Sequence, residues 1–263
     1  MLLYKYVSLA VGRAILRKCA VGFSQSKYFN DPFDRPFEPT EPGTRRMDDP
    51  AGEVQKLLDF QTWSEATGIL SLTRTPNNPL MWAHYADLHM GMVIGIDVIA
   101  AGMTKDESNL IPAQYGSVVY VSRRPQQPFI DAPQTSLVIG ATHTFPRDHY
   151  EKLQRLFLHK PLCWSYEEEV RVLKCLKGIP AQGGANESGE FEIVRVDSGH
   201  IYLLSLPTCA IKEAYFGIHA DLVESDNIFY EAREKYPELS MFECELDNEN
   251  LTVRFSAYRA IGE

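Results

Sequence analysis

The stretch KPLCWSYEEEVRVL, residues Lys160–Leu173, places three consecutive glutamates in front of an apolar run that is typical of a buried strand. If the stretch is extended, side chains alternate between two faces, so Glu167, Glu169 and Arg171 share one face. Carboxylates two residues apart on a strand face lie ~7 Å apart, which lets both contact one ligand. Glu168 points to the other face and should matter least. We therefore take this stretch as the first candidate for a functional site.

An ion-pair network is the alternative interpretation of the same residues. Lys160 and Arg171 supply two positive charges that could neutralise Glu167 and Glu169. Carboxylates with shifted pKa values occur both in structural networks and in active sites. For this stretch taken alone, the two interpretations are equally open.

The composition is that of an ordinary globular protein. The chain has 263 residues, of which 44% are hydrophobic and 23% charged, enough for a substantial core. Without a linker between self-sufficient halves, we predict one domain over residues 1–263, with a Pro-rich loop insertion at about residues 28–50. The five cysteines are scattered and lack zinc-site spacing, so we expect neither a disulfide framework nor a structural metal.

The net charge and the targeting signals limit the kinds of binding partner that we expect. The net charge of −9 argues against broad electrostatic binding to nucleic acid or to an anionic membrane. Basic residues cluster locally, and ordinary surface charge is the simpler explanation for them; they are Arg13, Arg17, Lys18, Arg123 and Arg124. We recognise no signal peptide or membrane span. With reduced thiols, this predicts a cytoplasmic protein that has no membrane partner.

Hydrophobic periodicity predicts many strands and few regularly spaced helices. Besides the glutamate-rich stretch, the predicted strands are 2–7, 20–24, 68–73, 90–97, 117–122, 191–196, 201–206, 214–217, 241–246 and 251–255. The first predicted helix is capped by Ser8 and runs to about Lys18. The other predicted helices cover residues 52–62, 80–86, 148–159 and 222–236, and residues 178–189 form a Gly-rich loop. This pattern indicates an α+β fold with mixed or antiparallel sheets rather than a doubly wound sheet.

A second candidate element runs from the hydroxyl-bearing strand of Ser71 and Thr73 into the short helix that carries Trp82 and Tyr85. Helical spacing puts Met81 beside Tyr85, and an aromatic ring there could stack on a flat ring such as nicotinamide or adenine. For Met81 and Trp82 taken alone, core packing is the simpler explanation.

The familiar catalytic signatures are absent: the sequence contains no GxGxxG, P-loop, HExxH or GxSxG motif. His84 and His89 have no carboxylate at a matching spacing, so we predict that they bind no metal.

Four motifs in order resemble a bacterial family catalogued as domain of unknown function 2971. They are Leu3–Tyr6, Asn30–Asp34, Leu80–Gly91 and Lys160–Arg171, and Ile211–Gly217 extends the match. In the second motif Asp34 replaces the glutamate of the family pattern. The second motif also reads as an Asx-type turn, either bordering a ligand site or simply anchoring a loop. The family name carries no activity.

More distantly, the layout resembles the ADP-ribosyltransferase superfamily. This resemblance implies split β-sheets with flanking helices and a glycosyltransferase that uses NAD as a substrate and no metal. Such enzymes cleave the nicotinamide–ribose bond and transfer ADP-ribose to a protein, nucleic acid or small acceptor. A role as a toxin or in antiviral defence, with an antitoxin or defence-system partner, belongs to the same expectation.

The resemblance also implies roles for residues that bind NAD. Lys5 takes the place of the first-strand His or Arg and would hold the ribose or a phosphate, with Tyr6 beside it. Lysine departs from the pattern because it is a point charge and not a planar fork or an imidazole. Ser71 or Thr73, together with Trp82 and Tyr85, would line the nicotinamide pocket, with Tyr85 as the preferred stacking ring.

The charged residues of the opening stretch receive roles in the same way. Glu169 would be the catalytic glutamate, bonding the ribose hydroxyl and stabilising an oxocarbenium-like transition state. Glu167 would orient the acceptor. Arg171 would hold the carboxylates or bind pyrophosphate through bidentate hydrogen bonds.

Two other functions remain open on the sequence. A non-catalytic nucleotide- or protein-binding module predicts that Lys160 and Arg171 tie up Glu167 and Glu169, with no open pocket beside them. An RNA-directed nuclease or phosphotransferase predicts a basic surface beside the glutamates, from Arg13, Arg17, Arg123 and Arg124.

Overall fold

A computed structural model describes residues 1–34, 62, 64–124, 153–196 and 199–261. The strands are β1 Leu2–Val7, β2 Ala20–Ser24, β3 Thr67–Thr73, β4 Met92–Asp97, β5 Val119–Val121, β6 His159–Pro161, β7 Glu169–Cys175, β8 Gly184–Asn186, β9 Gly189–Val196, β10 Gly199–Ser205, β11 Ile211–Phe216, β12 Ser240–Asp247 and β13 Thr252–Ala257. The helices are α1 Leu9–Lys18, α2 Pro79–Tyr85 and α3 Leu222–Lys235. Across these ranges, no helix combines the length and apolarity that crossing a membrane requires.

Most strands of the described ranges belong to one large mixed sheet. Its order is β13-β12-β11-β4-β1-β3-β2-β10-β9-β8, and β7 pairs with β3 off this path. Neighbours are antiparallel except β11 and β12, which are parallel. Strands β5 and β6 form a separate parallel pair. The predicted α+β class with mixed or antiparallel sheets is confirmed.

The large sheet splits at β3. This strand pairs with β7 along its whole length, from Thr67–Cys175 to Thr73–Glu169. It meets β1 only at Tyr4–Thr73 and β2 only at Ser24–Ile69. Strand β1 instead pairs along its length with β4. Because β1 and β3 touch at one point and then diverge, a space opens between them.

Local sequence signals set the helix starts. The Ser8 hydroxyl accepts a hydrogen bond from the backbone of Val11, as predicted for the cap of α1. The Asn78 side chain accepts from the first turn of α2, and Pro79 occupies a position where its missing N–H costs nothing. These caps fix the start of α2 beside β3, which brings Tyr85 toward the split.

The core lies against both faces of the sheet centre. Strand β4 contributes to it with Val93, Ile94 and Ile96, which are fully inaccessible to solvent. A separate apolar cluster joins Tyr6 of β1 and Trp82 of α2 to Val93. This cluster packs α2 onto β1 and thereby supports one wall of the split.

The stretch Lys160–Leu173 is not one continuous strand, so the prediction that Glu167 lies on a strand is wrong. After β6 the chain forms a 3-10 helix over Leu162–Glu167, Glu168 adopts a left-handed conformation with φ of 45°, and β7 begins at Glu169. Distant side chains stabilise this turn: Asn78 donates to the Tyr166 carbonyl at 2.6 Å, and Thr73 donates to the Glu167 carbonyl at 2.6 Å.

Other predicted elements have mixed outcomes. Residues 153–157 are helical, in agreement with the middle of the predicted helix 148–159, whose start lies outside the described residues. Its predicted end is wrong, because His159 belongs to β6. The Pro-rich stretch from residue 35 and nearly all of the helix predicted at 52–62 also lie outside them. Within the predicted Gly-rich loop, β8 forms a hairpin with β9.

Candidate functional site

A cavity of about 180 Å³ opens where β1 and β3 diverge, and we call it the split cavity. Strand β1 contributes Lys5 and Tyr6 to its wall, β3 contributes Ser71 and Thr73, and α2 contributes Tyr85. Glu167, Glu169 and Lys160 complete the wall, together with Asn30 and Asp34 from the loop after β2. Seven of the nine residues predicted for the site therefore line one space.

Trp82 and Arg171 are the two predicted site residues that do not line the split cavity. Trp82 is fully buried, donates its indole N–H to the Pro76 carbonyl at 2.7 Å, and packs edge-to-face on Tyr6 with ring centroids 5.4 Å apart. It supports the wall that Tyr6 forms. The simpler explanation, core packing, holds for this tryptophan.

Arg171 on β7 uses every guanidinium N–H inside the protein. Its Nε and Nη2 atoms donate to the two carboxylate oxygens of Glu169 at 2.8 and 3.0 Å. Nη1 donates to Asp34 at 2.8 Å and to the Phe157 carbonyl at 2.6 Å, and Nη2 donates to the second oxygen of Asp34. The side chain is 1% exposed. Of the two roles expected for Arg171, holding the carboxylates is the one that its contacts provide, and no donor is left for a pyrophosphate.

Lys160 on β6 is the second cation of this cluster. Its ammonium group lies 2.5 Å from Glu167, 3.2 Å from Glu169 and 3.8 Å from Asp34. Burial alone would lower the pKa of Lys160, but Glu169 and Glu167 outweigh burial and raise it. The ion-pair network therefore exists, and an open cavity lies beside it; the binding-module interpretation predicted the network without the cavity.

Glu169 is the strongly held carboxylate. It accepts two hydrogen bonds from Arg171 and one from Lys160. A carboxylate has about four lone-pair sites, so little capacity is left for a ligand. Burial alone would raise the pKa of Glu169, but Arg171 and Lys160 outweigh it and lower the pKa to about 2. Glu169 therefore stays ionised.

Glu167 is the more loosely held carboxylate. One oxygen accepts from the Tyr85 hydroxyl at 2.6 Å and the other from Lys160, so about two lone-pair sites stay open. Burial raises the pKa of Glu167, and Lys160 offsets this only in part. Of the two glutamates, Glu167 is thus better suited to accept a proton or a ligand hydrogen bond.

Lys5 faces the same cavity from β1. Its ammonium group donates to the Ser71 carbonyl at 2.9 Å, across the point where β1 and β3 diverge. Burial lowers the pKa of Lys5, and the attraction of Glu169 and Glu167 compensates only in part. Among the described residues Lys5 forms no ion pair, so two of its three N–H donors stay available to a ligand.

Residue patterns alone missed Asp34 and Tyr120 as members of the cluster. Asp34 ends the turn in which Asp31 accepts from the Phe33 backbone at 2.8 Å, so this motif both forms an Asx turn and borders the cavity. The Tyr120 hydroxyl accepts the backbone N–H of Glu169 at 2.8 Å. Asp34 carried a signal, because it occupies the acidic position of the second motif, whereas nothing marked Tyr120.

The basic residues proposed for RNA binding are divided between two places. Arg13 and Arg17 on α1 pair with Glu231 on α3, and Arg13 also pairs with Glu224. None of these four residues lines the split cavity. Arg123 and Arg124 follow β5 and line a separate recess described below.

Comparisons with known proteins give one match. A family model described as a protein of unknown function, DUF2971, matches residues 81–172. This range covers about a third of the chain and contains the fourth motif and nearly all of the third, whereas the first two motifs lie outside it. No curated protein and no solved structure matches the chain significantly. The match supports the resemblance of this chain to the DUF2971 family.

Proposed function

We propose that this protein is an NAD-dependent enzyme of the ADP-ribosyltransferase type. It would bind NAD in the split cavity, cleave the nicotinamide–ribose bond and transfer ADP-ribose to an acceptor. One observation carries this proposal: Lys5, Thr73, Tyr85 and Glu167 come from distant parts of the chain and converge on one cavity. They follow one another in the order that the resemblance implied, with Lys5 in place of the first-strand His or Arg.

The charges of the cavity suit the proposed ligand. Its wall carries two lysines, Lys5 and Lys160, against three carboxylates, Asp34, Glu167 and Glu169, so the formal sum is one negative charge. The nicotinamide ring of NAD is cationic, and the half-buried ring of Tyr85 offers it a face. When the bond breaks, the positive charge moves to the ribose, where fixed carboxylates stabilise it.

The hydrogen-bonding capacities suggest that the two glutamates have different roles. We assign Glu167 to the ligand, because it has open lone pairs and a raised pKa, and Glu169 to holding Lys160 and Arg171 in place. In the proposed step the electron pair of the C–N bond leaves with nicotinamide. The acceptor nucleophile then attacks the ribose carbon, and Glu167 takes the proton of the nucleophile. The roles expected from the resemblance are thus partly exchanged.

Release of nicotinamide from NAD tests this proposal. The purified protein is incubated with NAD, with water or a cell lysate as the source of acceptors, and nicotinamide is measured by chromatography. We expect release by the wild type and a loss of roughly 100-fold or more in Glu167→Gln. The matched control is Glu168→Gln, an exposed neighbour that should keep the wild-type rate. Absence of release by the wild type under both conditions would overturn the proposal.

A non-catalytic NAD-binding module is the second candidate, and the saturation of Arg171 and Glu169 favours it. Charged groups that already satisfy each other have few hydrogen-bonding positions left for a reacting group. This candidate predicts stoichiometric binding of NAD in titration calorimetry without release of nicotinamide. Labelling of a lysate with a tagged NAD would separate the two functions and would identify an acceptor, on which any role in toxicity or antiviral defence depends.

A further inference from the structure

A second recess, of about 250 Å³, adjoins the split cavity, and we call it the basic recess. Lys160 lines both spaces. The consecutive residues Phe33 and Asp34 line one space each, Phe33 the basic recess and Asp34 the split cavity. The two spaces therefore lie next to each other and share Lys160 as part of their walls.

The small parallel sheet builds the recess. Strand β5 pairs in parallel with β6, and Tyr120 lies opposite Lys160 in this register. Only Ser122 separates Arg123 and Arg124 from the end of β5, so the pairing of the strands holds them near Lys160. The hydrogen bond from the Glu169 backbone to the Tyr120 hydroxyl ties this sheet to β7. The recess and the charged wall of the cavity thus share one support.

The charge of the recess is opposite to that of the cavity. Arg123, Arg124 and Lys160 line the recess, and no carboxylate does so among the residues described for it. Arg124 donates to the Phe33 carbonyl and so holds the wall. Arg123 is exposed and forms no hydrogen bond or ion pair with any part of the chain that the structure describes. A free guanidinium is a planar fork that suits a phosphate.

We propose that the basic recess binds the phosphate groups of a nucleotide whose ring end occupies the split cavity. This inference rests on the proposed function and deepens it by locating the diphosphate of NAD. A cationic ring would lie against a wall with excess carboxylates, and the anionic diphosphate would lie against Arg123 and Arg124. Arg123 would bind the phosphates, a role for which Arg171 has no hydrogen-bond donor left. Arg124 would add a second positive charge next to Arg123 while it donates to the Phe33 carbonyl.

Titration calorimetry with two partial ligands tests the recess. ADP carries the diphosphate without nicotinamide, and nicotinamide riboside carries the ring without phosphate. We expect Arg123→Gln to weaken the binding of ADP at least tenfold. The same change should weaken the binding of nicotinamide riboside far less. The affinity of the wild type for ADP should fall with added salt, and more steeply than that of the variant. Arg123→Lys should fall between the two, since lysine keeps the charge and loses the fork.

A matched control and three outcomes complete the design. Arg195 is an exposed arginine on β9, so Arg195→Gln should bind ADP as the wild type does. If NAD is cleaved but Arg123→Gln binds ADP like the wild type, the recess proposal fails and the proposed function stands. If ADP binds through Arg123 but no nicotinamide is released, the proposal for the basic recess stands and the proposed enzyme activity fails. If the wild type binds neither ADP nor NAD, both fail.

Discussion

The protein contains two charge clusters of similar chemistry in different surroundings. The buried charge cluster comprises Asp34, Lys160, Glu167, Glu169 and Arg171, with side chains 1–7% exposed. The surface charge cluster joins α1 to α3 and comprises Arg13, Arg17, Glu224 and Glu231, with side chains 23–57% exposed. Both pair arginines with carboxylates, so their differences come from burial.

Burial changes what each cluster does for the protein. Exposed ion pairs contribute little because water and salt screen them. Buried charges have lost their hydration and depend on their partners, although a well-packed apolar group of similar volume often stabilises a protein just as well. Stability alone therefore does not explain the buried cluster. Its position along the wall of an open cavity is better explained by a ligand.

The largest expected effect is the loss of Arg171. Among the described residues, Arg171→Met leaves Lys160 as the remaining ion-pair partner of the buried Asp34 and Glu169, so we expect the free energy of unfolding to fall by about 3–5 kcal/mol. In the surface cluster, Arg13→Met should lower the free energy of unfolding far less, because water and salt screen its exposed ion pairs. Urea unfolding followed by circular dichroism measures both. Equal losses in the two variants would remove the distinction between the clusters.

The two glutamates of the buried cluster should respond in opposite ways. The lowered pKa of Glu169 means that folding favours its ionised form, so Glu169→Gln should cost about 3 kcal/mol at pH 7. The raised pKa of Glu167 means that folding disfavours its ionised form, so Glu167→Gln should keep or increase stability at pH 7. The same urea titration compares them. A loss in Glu167→Gln as large as in Glu169→Gln would contradict the different roles of the two glutamates.

Lowering the pH should also distinguish the two clusters, with a smaller effect on the free energy of unfolding. Because the folded-state pKa of Glu169, about 2, lies below its ordinary value of 4.5, its contribution is complete above pH 4.5 and is lost as the pH falls toward 2. Glu169→Gln should therefore flatten the fall in stability between pH 5 and pH 3. Glu231→Gln, in the exposed cluster, should change that slope little in 0.3 M salt. The reverse ranking would place the acid-sensitive group at the surface.

The smallest expected effect concerns Glu168. It is exposed and adopts a left-handed conformation with φ of 45°, which favours glycine. Glu168→Gly should therefore raise the free energy of unfolding by up to about 1 kcal/mol, with no loss of ligand binding. Thermal unfolding and NAD titration check the two parts. A clear loss of stability would show that the Glu168 side chain supports the turn into β7.

Local patterns predicted the parts of the fold that local physics determines. Strand β1 and the Ser8 cap of α1 depend on neighbouring residues, and both are confirmed. The 3-10 turn before β7 was missed because Asn78 and Thr73, 88 and 94 residues from their acceptors, stabilise it. No periodicity carries that information. The predicted strand conformation at Glu167 was therefore wrong, although we expected Glu167 and Glu169 to lie close together.

The site itself shows the same limit. The pairing of Arg171 with Asp34 spans 137 residues, and no residue pattern indicated how completely the guanidinium is used. Trp82 was assigned to the ligand by resemblance, whereas its burial assigns it to the core. Lys5, Tyr85 and Glu169 were grouped through resemblance and not through any residue pattern. Their convergence on one cavity supports that grouping, and binding of NAD stays a prediction.

Binding of NAD to the split cavity is the central claim, and titration calorimetry tests it most directly. Tyr85 is the ring proposed to stack on nicotinamide, and Tyr230 is an exposed tyrosine on α3 that lines neither space. We predict that the wild type and Tyr230→Ala bind NAD with equal affinity and that Tyr85→Ala binds roughly tenfold or more weakly. Equal binding by all three proteins, or no binding by the wild type, would contradict the account.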